Sequence, residues 1–329
     1  MDSKIVSINI LTYNGQKFIE ACLNSVLKQT YPNIEVLVVD NNSTDNTIEK
    51  VKEILREFKG NQRVILNKRN LGFAGGHNIG IRESRGKYIV CLNQDVVLDK
   101  DFVKYGVEAT EEDKRIGSVQ AKVLQLNNGI RTNIIDTVGF TVFKSGKILD
   151  TGQGEKDKGQ YDSLIEIFGV NGVAPFYRRE ALNDVKLGKE YFDEDFFCYA
   201  EDFDLAFRFR WNGWKCIYSP KAILWHDRTS SKSAGGGWKE FRMIRKSQLL
   251  WMRKISWRNL WLAFIKNLPL SSFFKLPFLK RQIKFFFYLF FFEPKVLFSI
   301  FEIIKLMPRM LSKRKIIMKN KNVRFNPTT

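Results

Sequence analysis

The sequence predicts an α/β fold with a doubly wound, mostly parallel sheet. Short apolar segments alternate with segments of helical periodicity over the first hundred residues, which is typical of parallel strands joined by right-handed helical crossovers. Residues 34–39 are apolar except for Glu35, a pattern that indicates a strand buried on both faces. Polar residues follow each of the apolar segments, so the strand ends carry candidate ligand-binding groups.

The first crossover is predicted from turn residues. Residues 5–12 form an apolar strand that ends at Tyr13-Asn14-Gly15. Residues 16–29 carry apolar side chains at helical spacing, and Pro32 ends that helix before the second strand.

The next elements follow the same alternation. Thr44 or Asp45 can cap a helix that runs to about residue 58. A third strand is expected at 64–66 and a helix at 79–83, with residues 70–78 as a glycine-rich loop between them. The glycines match neither the dinucleotide-binding nor the P-loop pattern. They let backbone approach an anion at a helix start, although a plain tight turn would use them equally well.

Polar groups at four strand ends predict a ligand crevice. The fourth strand, residues 88–92, runs directly into Asn93-Gln94-Asp95. In a parallel sheet the carboxyl ends of the strands share one edge, where ligands bind. That edge would hold Tyr13-Asn14, Asp40, Asn70 and Asp95. Taken alone, Asp95 could equally be a turn or helix-capping residue.

A second acidic cluster lies further along the chain. Asp193-Glu194-Asp195 precedes a segment with helical periodicity that starts at Glu201-Asp202. The helix dipole favours acids in a first turn, so capping explains part of this cluster without any catalytic role. Residues 222–225 form a strand that delivers His226, which is either a ligand or a hydrogen-bonded structural residue. Residues 229–237, rich in glycine and serine, are expected to form a mobile loop.

The charge is concentrated in the last hundred residues. The chain has 329 residues, 44% of them hydrophobic, and a formal net charge of +19. Residues 230–329 hold 22 of the 54 basic residues but only three of the 35 acids, which leaves 32 of each sign in residues 1–229. The sequence therefore predicts a neutral globular body with a strongly basic tail.

Cysteine usage and hydropathy indicate which cellular compartment suits this chain. The four cysteines have no CxxC spacing, which suits buried thiols in a reducing compartment. We expect no signal peptide, because residues 5–11 are short and lack a cleavage site. No uncharged apolar run of about 18 residues occurs, so a transmembrane helix is not expected.

The basic tail is unusually aromatic. Residues 238–261 alternate aromatic and basic side chains, and residues 273–301 are dense in phenylalanine. Apolar faces flanked by Lys and Arg favour helices that lie in an anionic membrane interface. Two alternatives are a helical extension docked on the body with its cationic side in water, and a nucleic-acid-binding surface.

Six ordered sequence blocks carry a family resemblance. They are residues 6–14, 38–45, 70–78, 93–95, 172–174 and 192–197 leading to Glu201-Asp202. Over about residues 4–250 the sequence resembles the family 2 glycosyltransferases, in particular the rhamnosyltransferase-like branch. The resemblance implies the nucleotide-diphospho-sugar transferase fold and a donor site for an activated sugar.

The resemblance also implies roles for individual residues. Asp202 looks like the general base and Glu201 like its catalytic neighbour in the acceptor or sugar site, while Asp95 and His226 look like ligands of Mg²⁺ or Mn²⁺. Asn93 replaces the first acid of the family's Asp-x-Asp metal motif, which removes one charge from that site. Asp40 looks like the carboxylate that reads the pyrimidine. The remaining residues expected to bind the nucleotide sugar are Thr12, Tyr13, Asn14, Asn42, Asn70, Gly76, Asn78, Asn93, Gly172 and Arg245.

These observations lead to one expectation with alternatives. We expect an inverting, metal-assisted glycosyltransferase that moves a sugar, foremost from dTDP-rhamnose, to a lipid-linked or polysaccharide acceptor. A UDP-hexose user of the same family and a non-catalytic nucleotide-sugar-binding relative are the alternatives. Residues 1–250 would be the catalytic domain and 251–329 a membrane-associating tail. That organisation implies a cytoplasmic protein, peripheral on the inner face of the cell membrane, with an anionic membrane surface and no nucleic acid as its partner.

Overall fold

The computed structural model describes residues 4–228 and 238–323. Its twelve strands are β1 (Val6–Thr12), β2 (Ile34–Asp40), β3 (Asn61–Leu66), β4 (Tyr88–Asn93), β5 (Val96–Leu98), β6 (Ile116–Asn127), β7 (Ile130–Thr137), β8 (Phe140–Val142), β9 (Ile148–Asp150), β10 (Glu166–Ile167), β11 (Phe176–Arg178) and β12 (Lys215–His226). Its helices are α1 (Ile19–Leu27), α2 (Thr47–Arg56), α3 (Gly72–Glu83), α4 (Phe102–Glu111), α5 (Arg179–Val185), α6 (Glu201–Asn212), α7 (Trp238–Ser247), α8 (Leu250–Asn267), α9 (Leu276–Phe292), α10 (Pro294–Leu297) and α11 (Ile300–Lys319). Short 3₁₀ turns occur at Glu194–Phe196 and Leu270–Phe274.

The main sheet confirms the predicted fold class. Its central path runs β10-β12-β6-β11-β4-β1-β2-β3, with β5 on β12 and β7 on β6. Strands β1 to β4, β6 and β12 are parallel to one another, and β11 is an antiparallel insert between β4 and β6. The β1, β2 and β4 strands are buried along nearly their whole length, as expected for strands covered by helices on both faces.

Strand register places the predicted polar groups side by side. Thr12 is paired with Asp40, the last residue of β2, and Leu11 is paired with Asn93, the last residue of β4. Asp40 is paired in turn with Leu66 at the end of β3. The loops after these four strands therefore start from one edge of the sheet, as the sequence predicted.

The glycine-rich segment differs from its prediction. The sequence analysis placed a loop at 70–78, but α3 already begins at Gly72. Gly72 has a φ of +70°, and a Cβ there would lie 2.4 Å from the carbonyl oxygen of Phe197. A Cβ on Gly76 would lie 2.3 Å from Cδ1 of Leu11. The glycines therefore let a helix pack closely against the sheet, and the prediction of an open loop was wrong.

The C-terminal helices share a hydrophobic core with the body. Phe203 and Phe207 of α6 belong to the same buried cluster as Leu262 and Phe264 of α8 and Met310 of α11. Rings of Phe203 and Phe264 are 6.4 Å apart in an edge-on arrangement. In its packing, therefore, the described part of the expected tail, residues 251–323, is docked on the body, which was one of the alternatives for this segment. The division at residue 250 stays a prediction about function.

Two other expectations can be compared with the structure. All four cysteines are free, and Cys22, Cys91 and Cys216 are buried. None of the helices in the described ranges is both long enough and apolar enough to span a bilayer. The predicted loop at 229–237 lies outside the described residues.

Candidate active site

The loop after β1 is tied to the end of β4 by Gln94. The Thr12 hydroxyl donates to Oε1 of Gln94 over 2.6 Å, and the Tyr13 amide donates to the same oxygen over 3.0 Å. The Gln94 amide nitrogen donates back to the Tyr13 carbonyl over 3.2 Å. Tyr13 is about half exposed, so its ring is accessible to a ligand. The sequence analysis did not assign Gln94 a role.

The loop after β2 is organised around Asp40. Its buried carboxylate accepts the Ser43 amide over 2.9 Å and also the Ser43 hydroxyl. The side chain of Asn14 accepts the Thr44 amide over 2.8 Å, which ties the first two loops together. Asn14 and Asn42 both have positive φ, a conformation that asparagine tolerates better than most residues.

Asparagines also join the second and third loops. The Asn41 amide donates to Oδ1 of Asn70 over 3.2 Å and to the carbonyl of Gly72 over 3.0 Å. Asn70 in turn accepts the Gly72 amide over 2.8 Å. Asn70 therefore lies beside Asp40's loop at the sheet edge, where the sequence placed it.

Asn78 does not have the surroundings predicted for it. Its Oδ1 accepts the amides of Tyr191 and Phe192, and its Nδ2 donates to the Phe192 carbonyl and to Glu194. All four hydrogen-bonding positions of this fully buried amide are used, so none is left for a ligand. Asn78 links α3 to the segment before α6. Gly76, also on α3, packs closely against Leu11 of β1.

Asp95 and His226 come together although 131 positions separate them. Oδ2 of Asp95 lies 3.6 Å from Nε2 of His226. The other ring nitrogen, Nδ1, lies 2.9 Å from Oδ2 of the fully buried Asp136. Burial by itself would lower the pKa of His226, but the hydrogen bonds to Asp136 and Asp95 outweigh it and raise the pKa to about 9.

Asp95 and His226 offer a carboxylate and an imidazole that itself has a carboxylate partner, a combination that divalent-cation sites commonly contain. Histidine ligands of metals almost always donate their second ring N–H to a carboxylate, as His226 can to Asp136. Within the described residues no group of three or more His, Cys, Asp or Glu side chains surrounds one point. Mg²⁺ commonly takes only one or two protein carboxylates and completes its coordination with water and substrate phosphates.

Arg228 continues the network away from His226. Its Nε lies 2.8 Å from Oδ1 of Asp136, and its Nη2 donates to Asp150 over 3.0 Å. Asp150 also accepts the side-chain amide of Asn171 over 2.8 Å. The guanidinium of Arg228 thus lies between two carboxylates in a largely buried place, where charged groups need partners of opposite sign.

Asp202 lies at the far end of the same network. The Gly172 amide, next to Asn171, donates to Oδ2 of Asp202 over 2.8 Å, and the Phe203 amide donates to Oδ1 over 2.7 Å. A Cβ on Gly172 would lie 3.2 Å from that Oδ2. Burial raises the pKa of Asp202 to about 6, with the two backbone donors opposing the rise and Asp150 adding to it.

Glu201 is different in character from its neighbour. It is buried, and its Oε2 has no hydrogen-bond partner among the described residues. Burial, and then the charge of Asp202, raise the pKa of Glu201 well above its usual value. The two adjacent acids therefore differ in their surroundings: Asp202 accepts two backbone amides, whereas one oxygen of Glu201 is buried without a partner among the described residues.

The site network is thus Asp95, His226, Asp136, Arg228, Asp150, Asn171 and, through Gly172, Asp202. It connects the predicted metal ligands to the predicted base through a series of intermediate residues. Asp136, Asp150, Asn171 and Arg228 were missed from the sequence, because single polar or charged residues near strand ends and in loops carry no distinguishing pattern. One available signal was that Asp136 and Asp150 are each followed by Thr and, shortly after, by Gly.

Arg245 is not near these groups in its contacts. Its guanidinium makes a two-point ion pair with Glu293, over 2.8 and 2.7 Å, at the junction of α9 and α10. Glu293 also receives the Tyr288 hydroxyl over 2.8 Å. In this conformation Arg245 fastens α7 to the C-terminal helices, and its expected approach to a diphosphate would require that pair to open.

A family assignment follows from comparison of the sequence with known families. The sequence model of the family "Glycosyl transferase family 2" matches residues 7–185, more than half of the chain. The chain belongs to glycosyl transferase family 2. The expectation drawn from the six sequence blocks is confirmed at the level of the family, while the rhamnosyltransferase-like branch stays a prediction.

Curated relatives of this family 2 protein are named as polysaccharide synthases. The poly-β-1,6-N-acetyl-D-glucosamine synthase of Staphylococcus epidermidis is 27% identical over 237 residues, which cover 71% of this chain and 52% of that protein. The synthase of Staphylococcus aureus strain COL is 24% identical over the same length. The chain therefore spans about half the length of these relatives.

Solved structures share the fold at low sequence identity. GalNAc-T7, solved with UDP, GalNAc and Mn²⁺, has a TM-score of 0.61 and 16% identity, covering 80% of this chain and 48% of that one. The mannosyltransferase PcManGT of Pyrobaculum calidifontis, solved with GDP-mannose and Mn²⁺, has a TM-score of 0.55 and 19% identity, with 92% and 75% covered. S. aureus TarS with UDP-GlcNAc has a TM-score of 0.54 and 17% identity, with 98% and 93% covered. The predicted nucleotide-diphospho-sugar transferase fold is confirmed.

Proposed function

We propose that this family 2 glycosyltransferase transfers a sugar, with inversion, from a nucleotide-diphospho-sugar to a hydroxyl of a lipid-linked or polysaccharide acceptor. The observation that carries the proposal is the site network. A chain of ion pairs and hydrogen bonds, with one covalent step from Asn171 to Gly172, joins Asp95 and His226 to Asp202, and strand register places Asp40 at the same sheet edge. Donor and base sites would therefore lie over one crevice.

Base recognition is assigned to the loops after β1 and β2. Asp40 would accept the N3–H of a pyrimidine. Thr12 and Tyr13 would border the pyrimidine ring, because Thr12 is paired with Asp40 and the side chain of Tyr13 is accessible. Asn14 and Asn70 stabilise these loops by accepting backbone amides. Asn42 adopts the positive φ that its loop requires. Asn93, the last residue of β4, is paired with Leu11 of β1 and so lies at the same sheet edge.

Asp95 and His226 would hold Mg²⁺ or Mn²⁺, with Asp136 orienting the ring of His226. When bound, the cation neutralises negative charge that develops on the departing nucleoside diphosphate. Because Asn93 supplies an amide in place of a carboxylate, the protein contributes one charge less to this site than the family motif does.

Asp202 is proposed to take the proton from the attacking acceptor hydroxyl. Its pKa of about 6 leaves it ionised at neutral pH yet basic enough to accept a proton, a balance that general bases require. Glu201 is buried and its pKa is raised well above the usual value, which disfavours a second nucleophilic carboxylate at this position. One base and no nucleophile favour a single displacement, which inverts the anomeric centre.

The donor is proposed to be dTDP-rhamnose on the basis of the sequence blocks. UDP-hexoses are the second candidate, because the S. aureus TarS structure contains UDP-GlcNAc and the curated relatives make an N-acetylglucosamine polymer. A thermal-shift panel of nucleotide sugars, each with and without Mn²⁺, tests this choice, because a ligand that binds only the folded state raises its Tm. A donor that raises the Tm is then incubated with enzyme alone. No release of nucleoside diphosphate from any binding donor would favour the non-catalytic alternative.

We also propose that the C-terminal helices bind an anionic membrane surface on the cytoplasmic side. Helix α9 exposes Phe287, Phe290 and Phe291 with 54, 56 and 67% of their surface accessible. Residues 230–329 carry the whole net charge of +19, which complements acidic lipid headgroups. Exposed aromatic rings beside many cations are typical of helices in a membrane interface.

Flotation on vesicles tests the membrane proposal. The native chain should float with phosphatidylserine-containing vesicles and much less with pure phosphatidylcholine. Changing Phe287, Phe290 and Phe291 together to serine should abolish flotation, whereas Phe143→Ser, which alters an exposed ring on the body, should not. Equal flotation of the triple variant and the native chain would contradict the proposal.

A further inference from the structure

The segment immediately before the proposed base is strained. Six non-glycine residues have positive φ within the described ranges, and three of them, Phe197, Tyr199 and Ala200, lie among four consecutive positions. The other three are asparagines, which tolerate this conformation, whereas Phe, Tyr and Ala do so at a cost. We call residues 196–200 the strained loop. It leads directly into Glu201 and Asp202 at the start of α6.

One side chain of the C-terminal helices holds this loop. The amide nitrogen of Asn259, on α8, lies 2.8 Å from each of three carbonyl oxygens, those of Phe196, Cys198 and Tyr199. Asn259 has no exposed surface. Buried carbonyls need hydrogen-bond donors. Asn259 supplies that donor at the point of strain.

Neighbouring groups fix Asn259 itself. Its Oδ1 accepts Nε of Arg258 over 3.0 Å, so the amide cannot turn over without losing that bond. Arg258 also bonds Glu302 at the start of α11 over 2.8 Å. The orientation of the Asn259 donor is thereby set by two helices of the C-terminal region.

The strained loop also contacts the donor side of the site. The carbonyl of Phe197 accepts the Ala74 amide in the first turn of α3 over 3.1 Å. Gly72 approaches the same carbonyl so closely that no side chain would fit there. One loop thus lies between the α3 start, next to Asn70, and the proposed base.

We propose that Asn259 is a positioning residue for catalysis: by holding the strained loop it sets where Asp202 stands relative to the donor site. This inference rests on the proposed function, because it requires Asp202 to act as the base. It assigns the C-terminal helices a part in the reaction besides any contact with lipid. A catalytic group displaced by about 1 Å can lose about 10²-fold in rate.

Asn259→Ala in the full chain tests the proposal. We expect kcat to fall about 10²-fold, with the KM for the donor nearly unchanged since the β1 and β2 loops are untouched. The acid limb of the pH profile should move below the pKa of about 6 given for native Asp202, because a loosened loop admits water to that carboxyl. Asn320→Ala, at the exposed end of α11, is the matched control and should leave all three values unchanged.

A second substitution separates positioning from general packing. Ala200→Gly, added to Asn259→Ala, removes the cost of the left-handed backbone at that position without replacing the lost donor. Partial recovery of kcat in the double variant is expected. If Asn259→Ala does not fold, Asn259→Ser, which keeps one donor, is judged by the same criteria.

Two results would overturn the inference. One is a folded Asn259 variant with native kcat and a native pH profile. The other is a loss of activity that appears wholly in KM. Failure of the proposed function would look different, because the native chain would then release no nucleoside diphosphate from any donor. Hydrogen exchange at the Cys198 amide still reports the hold on the loop in that case, and unchanged exchange in Asn259→Ala would contradict it.

Discussion

Nδ1 of His226 lies 2.9 Å from Oδ2 of Asp136, a carboxylate with no exposed surface. The two residues are 90 positions apart. This contact fixes the plane of the imidazole and leaves Nε2 facing Asp95. Carboxylate partners of this kind orient metal-binding histidines and increase their basicity.

Asp136→Asn should therefore weaken binding of Mn²⁺ by about 10- to 100-fold, because the ring of His226 loses its charged partner. Titration calorimetry with Mn²⁺ on the purified chain measures the change. Glu108→Gln, which removes an exposed carboxylate on α4, is the control and should leave the affinity unchanged. Equal Mn²⁺ affinity in the Asp136 variant and the native chain would exclude His226 from the metal site.

Asp202→Asn should keep donor binding and lose transfer by about 10²- to 10⁴-fold, the usual contribution of a general base. The amide retains an oxygen that can accept the Gly172 amide, so the local geometry should persist. Nucleotide affinity from calorimetry and transfer rates from product analysis separate the two effects. Undiminished turnover would show that another group accepts the proton.

The pH profile should carry the signature of Asp202. A base must be ionised to act, so kcat/KM should fall about tenfold per pH unit below the pKa of about 6 and be flat just above it. Asp150 contributes to raising that pKa, so Asp150→Asn should move the acid limb to lower pH. A limb that stays in place, or moves upward, would contradict the assignment.

Lys266 should be among the most sensitive positions for stability. Its ammonium is fully buried between Asp193 and Asp204, which are themselves fully buried. Lys266→Met would leave two buried carboxylates without that partner, at a cost of about 3–5 kcal/mol in the free energy of unfolding. Lys315→Met, at an exposed position of α11, should change it by about 0.5 kcal/mol or less. Urea unfolding compares the two, and similar values would argue against a structural role for the buried pair.

Local sequence pattern determined the fold class and one edge of the site. Continuous apolar runs such as residues 34–39 mark strands buried on both faces, and the polar residues that follow them mark the strand ends. Because parallel strands share an edge, Tyr13-Asn14, Asp40, Asn70 and Asp95 could be assigned to one edge without coordinates, and the register of the strands that precede them confirms that edge. The same local rules failed at Gly72, where close packing against the sheet turned a predicted loop into helix.

Tertiary structure alone decided which distant groups meet. The Thr and Gly that follow Asp136 and Asp150 do not indicate which groups these acids contact, and Arg228 has no such signal. Each is a single charged residue whose partner is chosen by packing. The same holds for Asn259, which reaches a strained loop about 60 residues earlier. Hydrophobic periodicity shows which side of a helix or strand is buried. It does not show which other element packs against that side. For Asn259, the partner is determined by how α8 packs onto the sheet domain.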